Sequence, residues 1–118
     1  MWRVEFTDEF GAWWESLDES VQDATDSAVN VLQGAGPSLG RPHVDTLKGS
    51  KHANLKELRV QCGGKPYRIF FAFDPRRVAI ILIGGCKAGD QRFYARMIPV
   101  ADKLYDVYVA ELTKEGLL

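Results

Sequence analysis

Five side chains in the second half of the chain have the types and spacing to hold an anion: Arg59, Arg68, Lys87, Arg92 and Tyr94. Gly63-Gly64 is a strong signal for a two-residue hairpin between two strand-like runs. Such a turn pairs 62 with 65, 61 with 66, 60 with 67, and 59 with 68. Arg59 and Arg68 then face each other on one side of the sheet, with Leu58, Val60, Tyr67, Ile69 and Phe71 on the other. Like charges directly opposite are unfavourable. The pairing therefore predicts an anion held between the two arginines. The alternative is that each arginine reaches a separate carboxylate, and Glu57 lies on the same face as Arg59. Lys87, Arg92, Tyr94 and Arg96 follow the next strand and are expected near the end of the same sheet. Arginine and lysine bind phosphate, arginine bidentately. Tyrosine and histidine move protons or stack on bases. The set suits an RNA phosphodiester, although Tyr94 alone would read as a half-buried helix tyrosine.

A long segment, residues 34–54, borders this set. It is punctuated by Gly and Pro and reads as a loop, long for a compact domain. It carries Arg41, His43, Lys48, Lys51 and His52. Two histidines nine residues apart, without a Cys or acidic cluster in ligand spacing, make a weak zinc case. Neither GxxxxGK[ST] nor GxGxxG is present, and there is no nucleophile elbow. No metal or cofactor is expected. Cys62 and Cys86 sit among apolar strand residues and read as small buried hydrophobes.

The elements that must position these residues follow from periodicity. Trp2, Val4 and Phe6 alternate with Arg3 and Glu5, which predicts a half-buried strand. Thr7 or Asp8 can cap a helix to about Leu17, with Phe10, Trp13, Trp14 and Leu17 as its stripe. Ser20 and Asp23 resemble a capping box for a second helix, which carries Val21, Ala24, Ala28, Val31 and Leu32 and stops at Gly34. Three strands follow: Leu55 to Cys62, Pro66 to Phe73, and Val78 to Ile83, the last expected in the centre of the sheet. Asp90 is a plausible cap for a first helical turn. Pro99 is expected to restart or kink a final helix striped by Val100, Leu104, Val107, Tyr108 and Leu112. The predicted order is β-α-α-β-β-β-α in one domain, residues 1–118.

The length of 118 residues fits one domain. Hydrophobic content of 46% supports one core, and a charged fraction of 26% argues against wholesale disorder. No apolar run is long enough to cross a bilayer, and the N-terminus has no signal-peptide pattern, so a cytoplasmic location without membrane contact is expected. The net charge of -1 conceals a division. Residues 1–40 carry a net -7, residues 41–96 a net +8, and residues 97–118 a net -2. Segments of opposite sign suggest an anionic partner for the basic one, or mutual pairing across the fold.

The stretch from Asp45 to Tyr94 resembles the RelE/ParE toxin superfamily, and most closely its HigB (phage Gp49-like) branch. The pieces that carry the likeness are L-K-G-S, L-K-E-L-R, G-G-K-P-Y-R and the strand closing in G-G-C-K. The likeness covers nearly the whole chain. It implies a RelE-like α+β domain, mainly an antiparallel sheet with an N-terminal helical hairpin and a C-terminal helix.

The resemblance also implies a function. It points to the toxin of a type II toxin–antitoxin system, a ribosome-dependent mRNA endonuclease. Such toxins cleave by attack of the RNA's own 2′-hydroxyl, without a metal. On that resemblance Arg68, Lys87 and Tyr94 are catalytic candidates. Lys56, Arg59, Arg92, Lys48, Lys51, His52 and Arg96 are candidate RNA or phosphate contacts. A helix-turn-helix (HigA-like) antitoxin, the ribosome and mRNA are the implied partners, with operator DNA bound through the antitoxin in a hetero-oligomer. Leu58 stands where RelE has a second lysine, and no histidine follows His52. The alternatives are a ParE-like inhibitor of DNA gyrase and an inactive antitoxin-binding remnant.

Overall fold

A computed structural model describes all 118 residues. The fold is α+β. Its elements are β1 (Arg3–Phe6), α1 (Asp8–Glu15), α2 (Glu19–Ala35), a 3-10 turn (Gly36–Ser38), β2 (Val44–Thr46), β3 (Leu55–Cys62), β4 (Lys65–Phe73), β5 (Val78–Cys86) and α3 (Phe93–Lys114). One five-stranded sheet runs β1-β5-β4-β3-β2. Only β1 pairs parallel, to β5; every other pair is antiparallel. The helical hairpin covers one face and α3 the other. Leu58, Val60, Tyr67, Ile69 and Phe71 pack under α1 and α2, and Leu55, Phe70, Ala72, Ile80 and Leu82 pack under α3.

The predicted elements are all present, with several differences. The 34–54 segment contains the extra strand β2, whose three residues pair with β3. That leaves a shorter true loop. Helix α1 ends at Glu15, because the Ser16 and Leu17 N–H groups tighten onto Trp13 and Trp14. Thr7 is its cap: its hydroxyl accepts from the Phe10 N–H at 3.0 Å. Asp18, not Ser20, stands before α2, and makes no side-chain cap bond. Helix α2 runs through Gly34 and stops at Gly36, which has a φ of 60°. Helix α3 is continuous through Pro99, whose ring is exposed. Both cysteines are free and only half-buried.

β5 departs most from expectation. It lies between β1 and β4 rather than at the centre, which β4 occupies, and it runs on to Cys86. Gly84 and Gly85 are strand residues, not a turn. A Cβ on Gly84 would lie 2.4 Å from the Trp13 ring, and one on Gly85 would lie 2.8 Å from the Phe93 ring. The two glycines therefore admit α1 on one face and α3 on the other. A register shift opposite Phe70 and Phe71 skips Leu82 in the ladder. The extra residue switches parity, so Ile83 and Gly85 share the α3 face with Arg68 and Phe70.

Candidate active site

The hairpin register is as the two-glycine turn dictates: Arg59 pairs with Arg68, and Arg68 with Gly85. One row along, Glu57 pairs with Phe70, and Phe70 with Ile83. Alternation puts Glu57, Arg59 and Arg68 on the α3 face, beyond the N-terminal end of that helix. Phe93, the first residue of α3, packs edge-on against Phe70 and sets the helix start. Asp90 accepts from the Arg92 N–H at 3.0 Å just before it. The next residue, Tyr94, stacks on Phe70 with 18° between the rings. Its hydroxyl reaches down to the sheet.

What lies between the arginines is a carboxylate of the chain itself. Glu57, its side chain only 7% exposed, has Oε1 3.4 Å from Arg68 Nε and Oε2 3.7 Å from Arg59 Nη2. The Tyr94 hydroxyl donates to Glu57 Oε1 at 2.6 Å. The expected external anion between Arg59 and Arg68 is thus corrected: Glu57 relieves the like-charge pair, as the alternative reading allowed. Arg59 also reaches Asp45 at 3.3 Å, and Arg41 holds the same carboxylate at 2.8 Å. The Arg41 hydrogen bond is the main reason that Asp45 titrates below the usual carboxylate range.

Arg68 is 12% exposed and donates from Nη1 to the Tyr67 carbonyl at 3.0 Å. The Nε atoms of Arg59 and Arg68 are buried without a hydrogen-bond partner. Lys87 leaves the end of β5 and places its ammonium 5.3 Å from the centre of the Tyr94 ring. No carboxylate pairs with it. Burial pushes the Tyr94 phenol above its ordinary pKa, and the bond to Glu57 pushes it further. The hydroxyl is therefore a proton donor at neutral pH. Buried carboxylate, guanidinium, phenol and free ammonium together make an acid–base site with anion-binding capacity.

The remaining candidates fall into three groups. Arg92 is exposed just before α3, without an ion pair. Arg96 is exposed one turn on and is held by Asp90. Lys51 and His52 lie elsewhere. Both pair with Asp106, His52 at 2.7 Å, while Ser50 donates to Asp102 at 2.5 Å. Asp106 is twelve residues beyond Tyr94 on α3, which is about 18 Å along the helix. Those bonds clamp the loop to α3 rather than enlarge the site. Lys48 is exposed on that loop without an ion pair. Lys56 pairs with Phe71, on the helical-hairpin face, so alternation points it away from Arg59 and Arg68. His43 is exposed and makes no side-chain bond. Sequence reasoning noted Glu57 only as a counter-charge. Its parity with Arg59 was the available signal; the reach of Tyr94 from another element was not visible.

The chain is similar to known proteins in both sequence and fold. The family model for phage-derived Gp49-like proteins matches residues 12–106. Two relatives from Mycobacterium tuberculosis carry the descriptions "Putative toxin HigB2" and "Putative toxin HigB3". The first is 43% identical over 102 residues, covering 85% of this chain and 51% of its own; this chain spans about half its length. The second is 42% identical over 99 residues, covering 83% and 85%. Among solved structures, the isolated E. coli RelE toxin aligns with a TM-score of 0.58 at 13% identity, over 84% of this chain and 97% of its own. RelE in the intact E. coli RelBE toxin–antitoxin complex aligns at 0.55 and 12%, over 72% and 95%. The archaeal RelE–RelB complex from Pyrococcus horikoshii aligns at 0.54 and 19%, over 75% and 97%. At such identities the structural likeness speaks to the fold alone. The family match over most of the domain and the likeness to two putative HigB toxins agree, and the chain belongs to the phage-derived Gp49-like family.

Proposed function

We propose that this chain is the toxin of a type II toxin–antitoxin pair and cleaves mRNA on the ribosome, in the cytoplasm, without a metal. The observation that carries the reading is the buried Glu57 carboxylate in contact with Arg68 and the Tyr94 hydroxyl, beside an unpaired Lys87. Glu57 takes the proton from the 2′-hydroxyl of the bound RNA, which replaces Tyr94 as its hydrogen-bond donor. The 2′-oxygen attacks phosphorus. The O2′–P bond forms as the P–O5′ bond breaks, leaving a 2′,3′-cyclic phosphate and a 5′-hydroxyl. Arg68 and Lys87 balance the charge that grows on the non-bridging oxygens. Tyr94, kept protonated by its surroundings, gives its proton to the departing 5′-oxygen. Arg92 extends the positive rim toward the neighbouring phosphate. The neutralising partner is a helix-turn-helix antitoxin, through which the pair binds operator DNA.

Brief induction in a host cell, followed by mapping of transcript 5′ ends, tests this. New in-frame cuts that vanish in Arg68→Ala are expected. Growth arrest without such cuts, but with trapped gyrase–DNA complexes, would overturn it.

A further inference from the structure

The outer edge of β1 is free over Val4 and Phe6. Thr7 donates its N–H to the Ile81 carbonyl at 3.0 Å, which fixes the phase of the parallel ladder. Counting back by two, Glu5 and Arg3 also turn their backbone groups to β5, and Val4 and Phe6 turn theirs outward. Trp2 shares that outward phase, and its N–H is taken by the Gln33 carbonyl at 3.0 Å. Beyond Trp2 nothing in the fold closes the edge. Phe6, the last residue of β1, is 63% exposed. The opposite edge of the sheet is the three-residue β2.

A cleft flanks this edge on each face. On the α3 side, Phe6, Ile80, Val100, Leu104 and Val107 line a groove of about 690 Å³. On the hairpin side, Val4, Phe10, Trp14, Thr25 and Val29 line one of about 460 Å³. Two residues of the second cleft carry buried polar atoms without a partner: Thr25 Oγ1, on a residue 1% exposed, and Trp14 Nε1. The rims are acidic, with Asp8, Glu9 and Glu111 on one side and Glu15 and Asp26 on the other; Lys103 is the single cation in either lining.

We propose that the β1 edge and its two clefts form a strand-addition site for an extended, lysine- or arginine-bearing segment of the antitoxin. An added strand places alternate side chains on opposite faces of the sheet, and here each face offers a cleft. Its backbone would satisfy the outward groups of Val4 and Phe6, and a polar side chain in the hairpin-side cleft would meet Thr25 and Trp14. The acidic rims select the occupant. They repel RNA, and they repel a second copy of this edge, which would bring the same carboxylates together. The site lies away from Glu57 and Arg68, so an antitoxin anchored there leaves the basic face open to a separate inhibitory contact. This rests on the toxin reading above.

The test measures binding of the antitoxin from the neighbouring gene by titration calorimetry, with the toxin carried as Arg68→Ala to permit expression. Val4→Pro removes an outward N–H without breaking the β1–β5 ladder. Phe6→Lys replaces the exposed ring by a charge repelled by an incoming basic strand. Val4 packs on the core and Phe6 on Phe10, so each variant is expected to melt somewhat lower, yet to weaken binding at least tenfold at a temperature where it is fully folded. Amide exchange at Val4 and Phe6 should slow in the complex. Unchanged binding by Val4→Pro and Phe6→Lys would overturn the docking site and leave the toxin reading standing. Absence of any binding by the parent chain would overturn the partner and the docking site together, while transcript mapping would still judge the toxin reading. A free chain that sediments as a dimer, and as a monomer with Val4→Pro, would overturn the antitoxin as occupant in favour of a second copy.

Discussion

Glu57→Gln separates the strut that the structure shows from the general base that we propose. The substitution keeps the size of the side chain and an oxygen that can accept from Tyr94, and removes only the charge. Glu57 is the one carboxylate near Arg68, at 3.4 Å, whereas Arg59 keeps Asp45 at 3.3 Å. Both contacts of Glu57 are lost, but only Arg68 is left without a carboxylate. Breaking a fully buried pair costs about 3–5 kcal/mol and an exposed one about 0–1. Arg68 is 12% exposed, close to the buried limit with some access to water, so about 2–3 kcal/mol is expected by interpolation. For a domain of this length that lowers the melting temperature by roughly 6–18 °C. Loss of a general base lowers the rate about 10²- to 10⁴-fold, or about 3–5 kcal/mol in the barrier. The assay is single-turnover cleavage of ribosome-bound mRNA, run well below the variant's melting temperature. A variant that melts low yet cleaves at the parent rate would refute the base role and leave Glu57 as a strut. One that melts and cleaves like the parent would refute both.

Tyr94→Phe should slow cleavage about 10²-fold or more, and a substrate with sulfur in place of the 5′-bridging oxygen, which needs no proton to depart, should recover most of the loss. Equal slowing on both substrates would remove Tyr94 from proton transfer. Asp74 is buried and titrates below its ordinary value: burial alone would raise it, but bonds from Tyr108, Arg76 and the Arg76 and Val78 N–H groups outweigh that. Its folded pKa is depressed, so its stabilisation is present above the unfolded value of about 4 and disappears as pH falls through the folded value. Asp74→Asn should flatten the acid limb of a stability-versus-pH curve; an unchanged limb would sink this assignment. Gly84→Ala drives a Cβ to 2.4 Å from the Trp13 ring. Overpacking of that kind costs about 1–3 kcal/mol, measurable by urea denaturation, and an unaffected midpoint would show that α1 yields freely.

Patterns of local origin were legible in the sequence. The hairpin register followed from two glycines, and with it the Arg59–Arg68 row. The order of helices and strands followed from periods of two and 3.6. What could not be read was set by tertiary contact. Gly84 and Gly85 look like a turn in sequence, and only the arrival of Trp13 and Phe93 on opposite faces explains them as strand residues. β2 has three residues, too few for any period to register, and it exists because β3 offers a partner. The site divided along the same line. Glu57 shares parity with Arg59, so its face was visible. Its bond to Tyr94 joins residues 37 positions apart, through a helix start fixed by Phe93 packing on Phe70. Lys51 and His52 looked like part of a basic rim until Asp106 claimed them.

Those internal claims change what the division of charge along the chain means. Residues 41–96 carry twelve lysines and arginines, but Arg41, Lys51, Arg59, Arg68, Arg76 and Arg96 each lie against a carboxylate of the fold. Half of the apparent positive field is thus spent on architecture. Asp45, Asp90 and Asp106, drawn into these pairs, are held below their ordinary pKa chiefly by Arg41, Arg96 and Lys51. Of the cations left over, Lys87 lies over the Tyr94 ring and Arg92 stands just before α3. On the proposed function, a phosphate approaching Tyr94 would meet Lys87 without a competing carboxylate, and behind it the Arg68 guanidinium held by Glu57. The number of basic residues is a poor guide to where this fold could hold an anion; which of them lack an internal partner is a better one. By the same reasoning, Asp8, Glu9, Glu15, Asp26 and Glu111, none of them in an ion pair, suit the clefts beside β1 to the basic protein segment proposed above rather than to RNA.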